Sequence, residues 1–181
     1  MYNNWHCLRS DTAKGKSLMK SALCVCCSGQ AAQQCCLPLH QGQWAETPEQ
    51  LMRSRYAAFV EQQIDYLVNT THPAQQHGLD LPAMWQWSQH SQWQGLEVLE
   101  RVYLNPSQTL ATVSFIARWA ESGLVQQHKE CSMFIRRADQ RWYFLDPTVQ
   151  VKTKRNKPCP CLSGKKFKQC CLRELALLSC S

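Results

Sequence analysis

Lys157-Pro158-Cys159-Pro160-Cys161-Leu162-Ser163-Gly164-Lys165-Lys166-Phe167-Lys168-Gln169-Cys170-Cys171 spaces its cysteines as Cys-x-Cys, eight residues, Cys-Cys. A Ser-Gly turn signal follows the first pair. The same grammar stands near the other end of the chain, where Cys24-Val25-Cys26-Cys27-Ser28-Gly29 leads to Cys35-Cys36 across the same gap. A module of about 20 residues cannot bury enough apolar surface to fold unaided, so the repeat points to metal. In a chain of 181 residues the two modules bracket one ordinary domain.

Twelve cysteines in this length would suit a secreted disulfide framework if a signal peptide led the chain. Residues 1–20 carry Arg9, Lys14, Lys16 and Lys20 without an apolar leader core, and no apolar run approaches membrane-spanning length. A soluble, cytoplasmic, reducing setting without a membrane partner is therefore expected, and there clustered cysteines favour metal over disulfide. Met19 is the expected natural start, because the first cysteine follows five residues later. The net charge of +7 is local. Residues 152–173 hold Lys152, Lys154, Arg155, Lys157, Lys165, Lys166, Lys168 and Arg173 and no acid, while the remainder holds 12 basic and 13 acidic residues. Such a segment asks for an anionic partner.

Between the modules, Thr47-Pro48-Glu49-Gln50 reads as an N-cap, a proline at the first helical position and a capping-box-like Gln. Leu51, Met52, Arg55, Tyr56, Phe59 and Val60 then fall at helical spacing. A second helix is predicted over residues 64–68, ending before His72-Pro73, and a third over residues 82–90. From Trp93 the period becomes two. Leu96, Val98 and Val102 mark a first strand with a bulge, reaching Leu104 before the turn at Asn105-Pro106-Ser107. Ala111, Val113, Phe115, Ala117 and Trp119 share one face of a second. Residues 128–136 and 141–146 complete a four-stranded antiparallel meander, with Ala138-Asp139-Gln140 as its last turn. Helices followed by strands indicate an α+β domain whose helices cover one face of a curved sheet.

Both cysteine modules resemble the SEC-C motif, the zinc-binding tail named from the preprotein translocase ATPase SecA. From residue 21 onward the chain resembles the YchJ-like family of bacterial proteins. The matching stretches are Leu51-Met52-Arg53-Ser54-Arg55-Tyr56, Asp65-Tyr66-Leu67, His72-Pro73, Trp93-Gln94-Gly95-Leu96-Glu97 and Arg141-Trp142-Tyr143. The resemblance implies an N-terminal SEC-C module at 21–43, after an irregular extension at 1–20. A middle domain of the nuclear-transport-factor-2-like type, a cystatin-like cone, follows at 44–148. A basic linker at 149–156 and a C-terminal SEC-C module at 157–181 complete the order. It names a fold rather than an activity. Two departures stand out against the family pattern Cys-Pro-Cys-Gly-Ser-Gly. Cys27 and Leu162 replace the first glycine, and Val25 replaces proline in the first copy. A residue other than glycine there must avoid or tolerate a positive φ, and Cys27 adds a potential fifth thiol.

Cys159, Cys161, Cys170 and Cys171, and likewise Cys24, Cys26, Cys35 and Cys36, are the expected ligands of two zinc ions in closed, structural shells. Iron–sulfur ligation, redox thiols and a vicinal disulfide are the rival readings. Cys7, Cys131 and Cys180 stand outside both clusters. Lys165, Lys166, Phe167 and Lys168 form the expected partner-binding surface, since cations around an aromatic suit a phosphate or acidic contact; solubility of a small knob is the plain alternative. In SecA the similar tail implies binding to the acidic chaperone SecB and to ribosomes. Docking to a protein or the ribosome is thus the implied role, with non-specific nucleic-acid binding as another reading. The first module, free of Asp, Glu, Lys and Arg, is expected to pack on the middle domain.

The cone fold that the resemblance implies often holds a pocket between sheet and helices, and Arg53, Arg55, Glu97, His128, Glu130 and Asp146 are the candidate polar residues for it. His128 and Glu130, two apart on a strand, share a face, either as an acid–base pair or in a salt bridge to Arg53 or Arg55. No nucleophile–base set or open metal site is apparent, so small-molecule binding or an enzymatic activity there is the alternative function, not the leading one. Trp85, Trp87, Trp93, Trp119 and Trp142 read as core or rim aromatics or as cavity walls. A homodimer through the sheet is a further expectation.

Overall fold

The computed structural model describes residues 23–180, with side chains as far as residue 178. The N-terminal extension, Cys7, Met19 and the side chain of Cys180 lie outside the described residues. Helices α1 (Cys36–His40), α2 (Pro48–Val60), α3 (Ile64–Asn69) and α4 (Leu81–His90) precede strands β1 (Gln92–Tyr103), β2 (Leu110–Glu121), β3 (Leu124–Arg136) and β4 (Trp142–Leu145). Helix α5 (Cys171–Leu175) and a 3-10 turn, Ala176–Cys180, close the chain. No helix among the described residues is long and apolar enough to cross a membrane.

Helix α2 starts where its cap demands. The Thr47 hydroxyl accepts the Gln50 N–H at 3.1 Å, and Pro48 needs no donor in the first turn. The Gln50 side chain reaches back to the Glu46 N–H at 2.8 Å, one residue beyond the N-cap N–H that the expected capping box would engage. Leu51, Met52 and Tyr56 are buried against Ala111, Val113, Phe115 and Phe134 of the sheet, and this is the main core.

The sheet is the antiparallel meander β1-β2-β3-β4. Strand β3 begins four residues before the predicted residue 128. Ser122 and Gly123, at φ 52° and 78°, form the two-residue turn of a tight hairpin in which Glu121 pairs Leu124. Strand β1 carries two register shifts, after Trp93 and after Val98. Gly95 sits in the first at φ 149°, with the Cys27 Sγ 3.5 Å from where a Cβ would stand. The N-terminal module therefore presses on the bulge, and Cys24, Cys26 and Cys36 join the main core.

The C-terminal module is also packed down. Phe167, Cys159 and Cys171 are buried with Ala74. Leu175, Leu177 and Leu178 cover Ile135, Tyr143 and Leu145. Those strand residues alternate with Phe134 and Phe144, so the tail lies on the sheet face opposite the helices. Part of the face expected to pair two copies is thus occupied by the chain's own end.

Candidate metal centres and interior pocket

The two modules repeat one another bond for bond. Cys24 N–H donates to the Gln30 carbonyl at 2.8 Å, as Cys159 does to Lys165 at 2.8 Å. The tight turn closes from Cys27 N–H to Cys24 O at 3.1 Å, and from Leu162 to Cys159 at 3.1 Å. Antiparallel bridges join Leu23 to Ala31 and Pro158 to Lys166. A single 3-10 turn then delivers each vicinal pair, through Ala32–Gln34 and Phe167–Gln169. Cys27 and Leu162 adopt φ 59° and 60°. Both therefore tolerate the positive φ for which glycine is the usual choice.

The four Sγ atoms of each module lie within 4.8 Å of one another. Neighbouring sulfurs stand 3.4 Å (Cys26–Cys35) and 3.8 Å (Cys35–Cys36) apart in the first module. In the second they stand 3.3 Å (Cys159–Cys161), 3.5 Å (Cys161–Cys170) and 3.7 Å (Cys170–Cys171) apart. A tetrahedral zinc with bonds of about 2.3 Å holds sulfurs about 3.8 Å apart, whereas a disulfide needs about 2.05 Å. The spacing fits one mononuclear ion per module. Every described cysteine is a free thiol. Cys27 turns its Sγ to the Val25 carbonyl at 3.6 Å and stands outside the four-sulfur group.

The electrostatics call for a cation. Hydrogen bonds with Cys26 and Cys36 hold Cys24 far below the ordinary thiol value, while the bonds of Cys36 to Cys24 and Cys26 push Cys36 far above it. Burial opposes ionisation of Cys161, yet donors from Ser163 and Cys159 bring it to about 6. Crowded thiols thus let one sulfur ionise at its neighbours' expense, and a dication is what would hold four thiolates together. Ser28 and Ser163 sit 3.2 and 3.3 Å from the sulfurs of Cys35 and Cys170, oriented to donate to them.

A clasp fixes the second module to the middle domain. Glu174 Oε2 meets His72 Nε2 at 2.7 Å and accepts from Arg137 Nε at 3.0 Å, while Arg137 Nη2 donates to Cys171 Sγ at 3.5 Å. His72 is fully buried, placed by its own N–H on the Phe144 carbonyl at 2.9 Å. The first module has a looser tie, in which Arg53 pairs Glu49 at 2.9 Å and donates to the Cys26 carbonyl at 3.2 Å.

Between sheet and helices lies a cavity of about 300 Å³. Arg55, His128, Glu130 and Asp146 line it; Arg53 and Glu97 do not. Glu97 pairs Arg118 at 3.0 Å. The salt bridge from Glu130 to Arg53 or Arg55 does not form. Glu130 instead meets His128 at 3.0 Å and accepts a short hydrogen bond from Ser132. Of the tryptophans, Trp87 and Trp93 line the cavity, with their rings 4.8 Å apart. Phe167 needs correction as a contact residue, because it is 3% exposed and packs inward as the hydrophobic plug of its module.

The family model of the YchJ middle, nuclear-transport-factor-2-like domain matches residues 47–147, and that of the SEC-C motif matches residues 155–173. This chain belongs to the YchJ family. Among solved structures, a SEC-C motif containing protein from Psychrobacter arcticus is 38% identical, with a TM-score of 0.67, over 83% of this chain and 95% of that one. A SEC-C motif containing protein from Rhodopseudomonas palustris is 39% identical, with a TM-score of 0.62, over 68% of this chain and 94% of that one. In this YchJ-family chain the clasp residues His72, Arg137 and Glu174 escaped sequence reasoning. Glu174 carried a signal as the first acid after a segment of eight cations, and His72 only as part of the His72-Pro73 stretch.

Proposed function

We propose that this YchJ-family protein holds one zinc ion in each cysteine cluster and uses the C-terminal module to dock on a polyanionic surface in the cytoplasm, the ribosome first among them. The observation that carries the reading is a set of unspent charges. Lys152, Lys154, Arg155, Lys157, Lys165, Lys166 and Arg173 are exposed and Lys168 half-buried, and among the described residues none of them forms an ion pair. Glu174, the acid that stands closest to them in sequence, is turned inward to His72 and Arg137. Two thiolate charges in excess of zinc leave the face strongly basic. Leu162, 86% exposed at the turn, adds one apolar contact. With Phe167 buried, base stacking loses its support, and charge is the main attraction of the face.

The zinc-loaded chain should sediment with ribosomes at moderate salt and less so as salt rises. Combined Lys165→Glu, Lys166→Glu and Lys168→Glu should abolish retention while both zinc ions stay bound. Equal retention of this variant, or no retention of the natural chain at low salt, would reject the docking face.

A further inference from the structure

The sheet face beneath the helices should be apolar throughout, yet β3 places His128, Glu130 and Ser132 on it, opposite Ala117, Phe115 and Val113 of β2. Across the cavity from them α2 brings Arg55, only 7% exposed. Its Nη1 is committed to the Leu67 carbonyl at 2.8 Å, Thr70 at 2.7 Å and Thr71 at 3.3 Å. Its guanidinium stacks over Phe144, 4.5 Å from the ring centre. Among the described residues no hydrogen bond engages Nε or Nη2, and Arg55 has no ion-pair partner. Burial lowers Arg55 to about 10, opposed by Tyr66, Asp146 and Glu130, so it is a cation at neutral pH.

The carboxylates facing the same space are also incompletely used. Glu130 is oriented by His128 and Ser132, one partner on each oxygen. Asp146 receives the Thr148 N–H at 2.8 Å and hydroxyl at 2.6 Å, both on Oδ1, and no hydrogen bond among the described residues reaches Oδ2. A carboxylate oxygen accepts more than one hydrogen bond, so both acids keep capacity toward the cavity. The walls between the charges are apolar, from Met52, Phe59, Trp87, Trp93 and Phe115. A simple anion would satisfy Arg55 but face two carboxylates. A simple cation would leave a buried guanidinium unmatched, which is the costlier error. A molecule bearing both charges on an apolar body answers all three groups.

We propose that the cone cavity binds a free α-amino acid with a large apolar side chain, its carboxylate on Arg55, its ammonium toward Glu130 and Asp146, and its side chain among the aromatic walls. The volume, at the small end of ligand pockets, admits one such molecule.

The test is titration calorimetry on the full zinc-loaded chain with L-phenylalanine, L-leucine and L-tryptophan. The half-ligands 3-phenylpropionate, which lacks the ammonium, and 2-phenylethylamine, which lacks the carboxylate, serve as comparisons. At least one amino acid should bind with Kd below about 1 mM, and each half-ligand at least about tenfold more weakly. Arg55→Met should abolish binding, but a buried site tolerates that change poorly, so Glu130→Gln is the deciding variant. It should weaken the amino acid about tenfold and strengthen 3-phenylpropionate, because the repelling charge is gone. Failure of all three amino acids to saturate, a half-ligand as tight as its parent, or a Glu130→Gln variant that moves both probes in the same direction would overturn the proposal.

Discussion

At Cys27 and Leu162 the backbone passes through φ 59° and 60°, where an L-residue costs about 1–2 kcal/mol relative to its right-handed conformation. Leu162 is 86% exposed, so its side chain recovers little of that cost. Leu162→Gly should therefore raise the stability of the second module by up to about 1 kcal/mol, the gain reduced by the freer unfolded chain. Chelator-driven zinc release should slow; faster release would show that Leu162 packs after all. Cys27→Gly should keep the full metal complement, because this thiol points at the Val25 carbonyl. His40 has two acceptors, Glu61 Oε2 at 3.1 Å from Nδ1 and the Ser54 carbonyl at 2.9 Å from Nε2. Burial opposes its charge, but Glu61 and Ser54 overcome it and lift the pKa above the ordinary 6.5. A raised folded value means that the contact stabilises fully below pH 6.5 and is lost as pH rises through the folded pKa. Histidine titration by NMR should find His40 above that value, and His40→Gln should remove the corresponding slope in stability.

Helix α2 was legible because cap, proline and apolar stripe agree at the same positions. Thr47→Ala should cost about 1 kcal/mol in a denaturant titration, through the lost bond to Gln50. Strands β1, β2 and β4 were legible from their period, and β3 only in part. Its first residues, Leu124 to Gln127, are exposed at a hairpin tip and bury no face that could impose alternation. Ser122-Gly123 was the local signal for that hairpin. Gly95 shows the opposite limit, since its φ of 149° answers a bulge and an approaching Cys27 from another module. Gly95→Ala should destabilise the chain, the strain falling on a backbone that only glycine adopts readily.

Across the whole molecule, the repeat announced two cysteine modules that could hold metal but not how each is seated. The first module's cysteines sit in the main core beside Leu51 and Trp93, while the second's form a satellite core on Ala74. Cys26→Ser should therefore lower the melting temperature of the entire chain more than Cys161→Ser does. The tail's place on the back of the sheet rests on contacts between residues 135–145 and 175–178, which no local pattern encodes. The same is true of the clasp. Glu174→Gln leaves buried His72 and Arg137 without their shared anion, a loss of about 1.5–3 kcal/mol. It should loosen the second module without emptying it, seen as faster hydrogen exchange over residues 149–158 at unchanged zinc content.

All of this rests on two mononuclear thiolate centres per chain. Metal analysis of the protein purified under reducing conditions, alongside Cys26→Ser and Cys161→Ser, tests that most directly. The proposed function predicts two zinc ions in the natural chain and one in each variant. A single metal per chain, or iron with its visible absorbance in place of zinc, would contradict it.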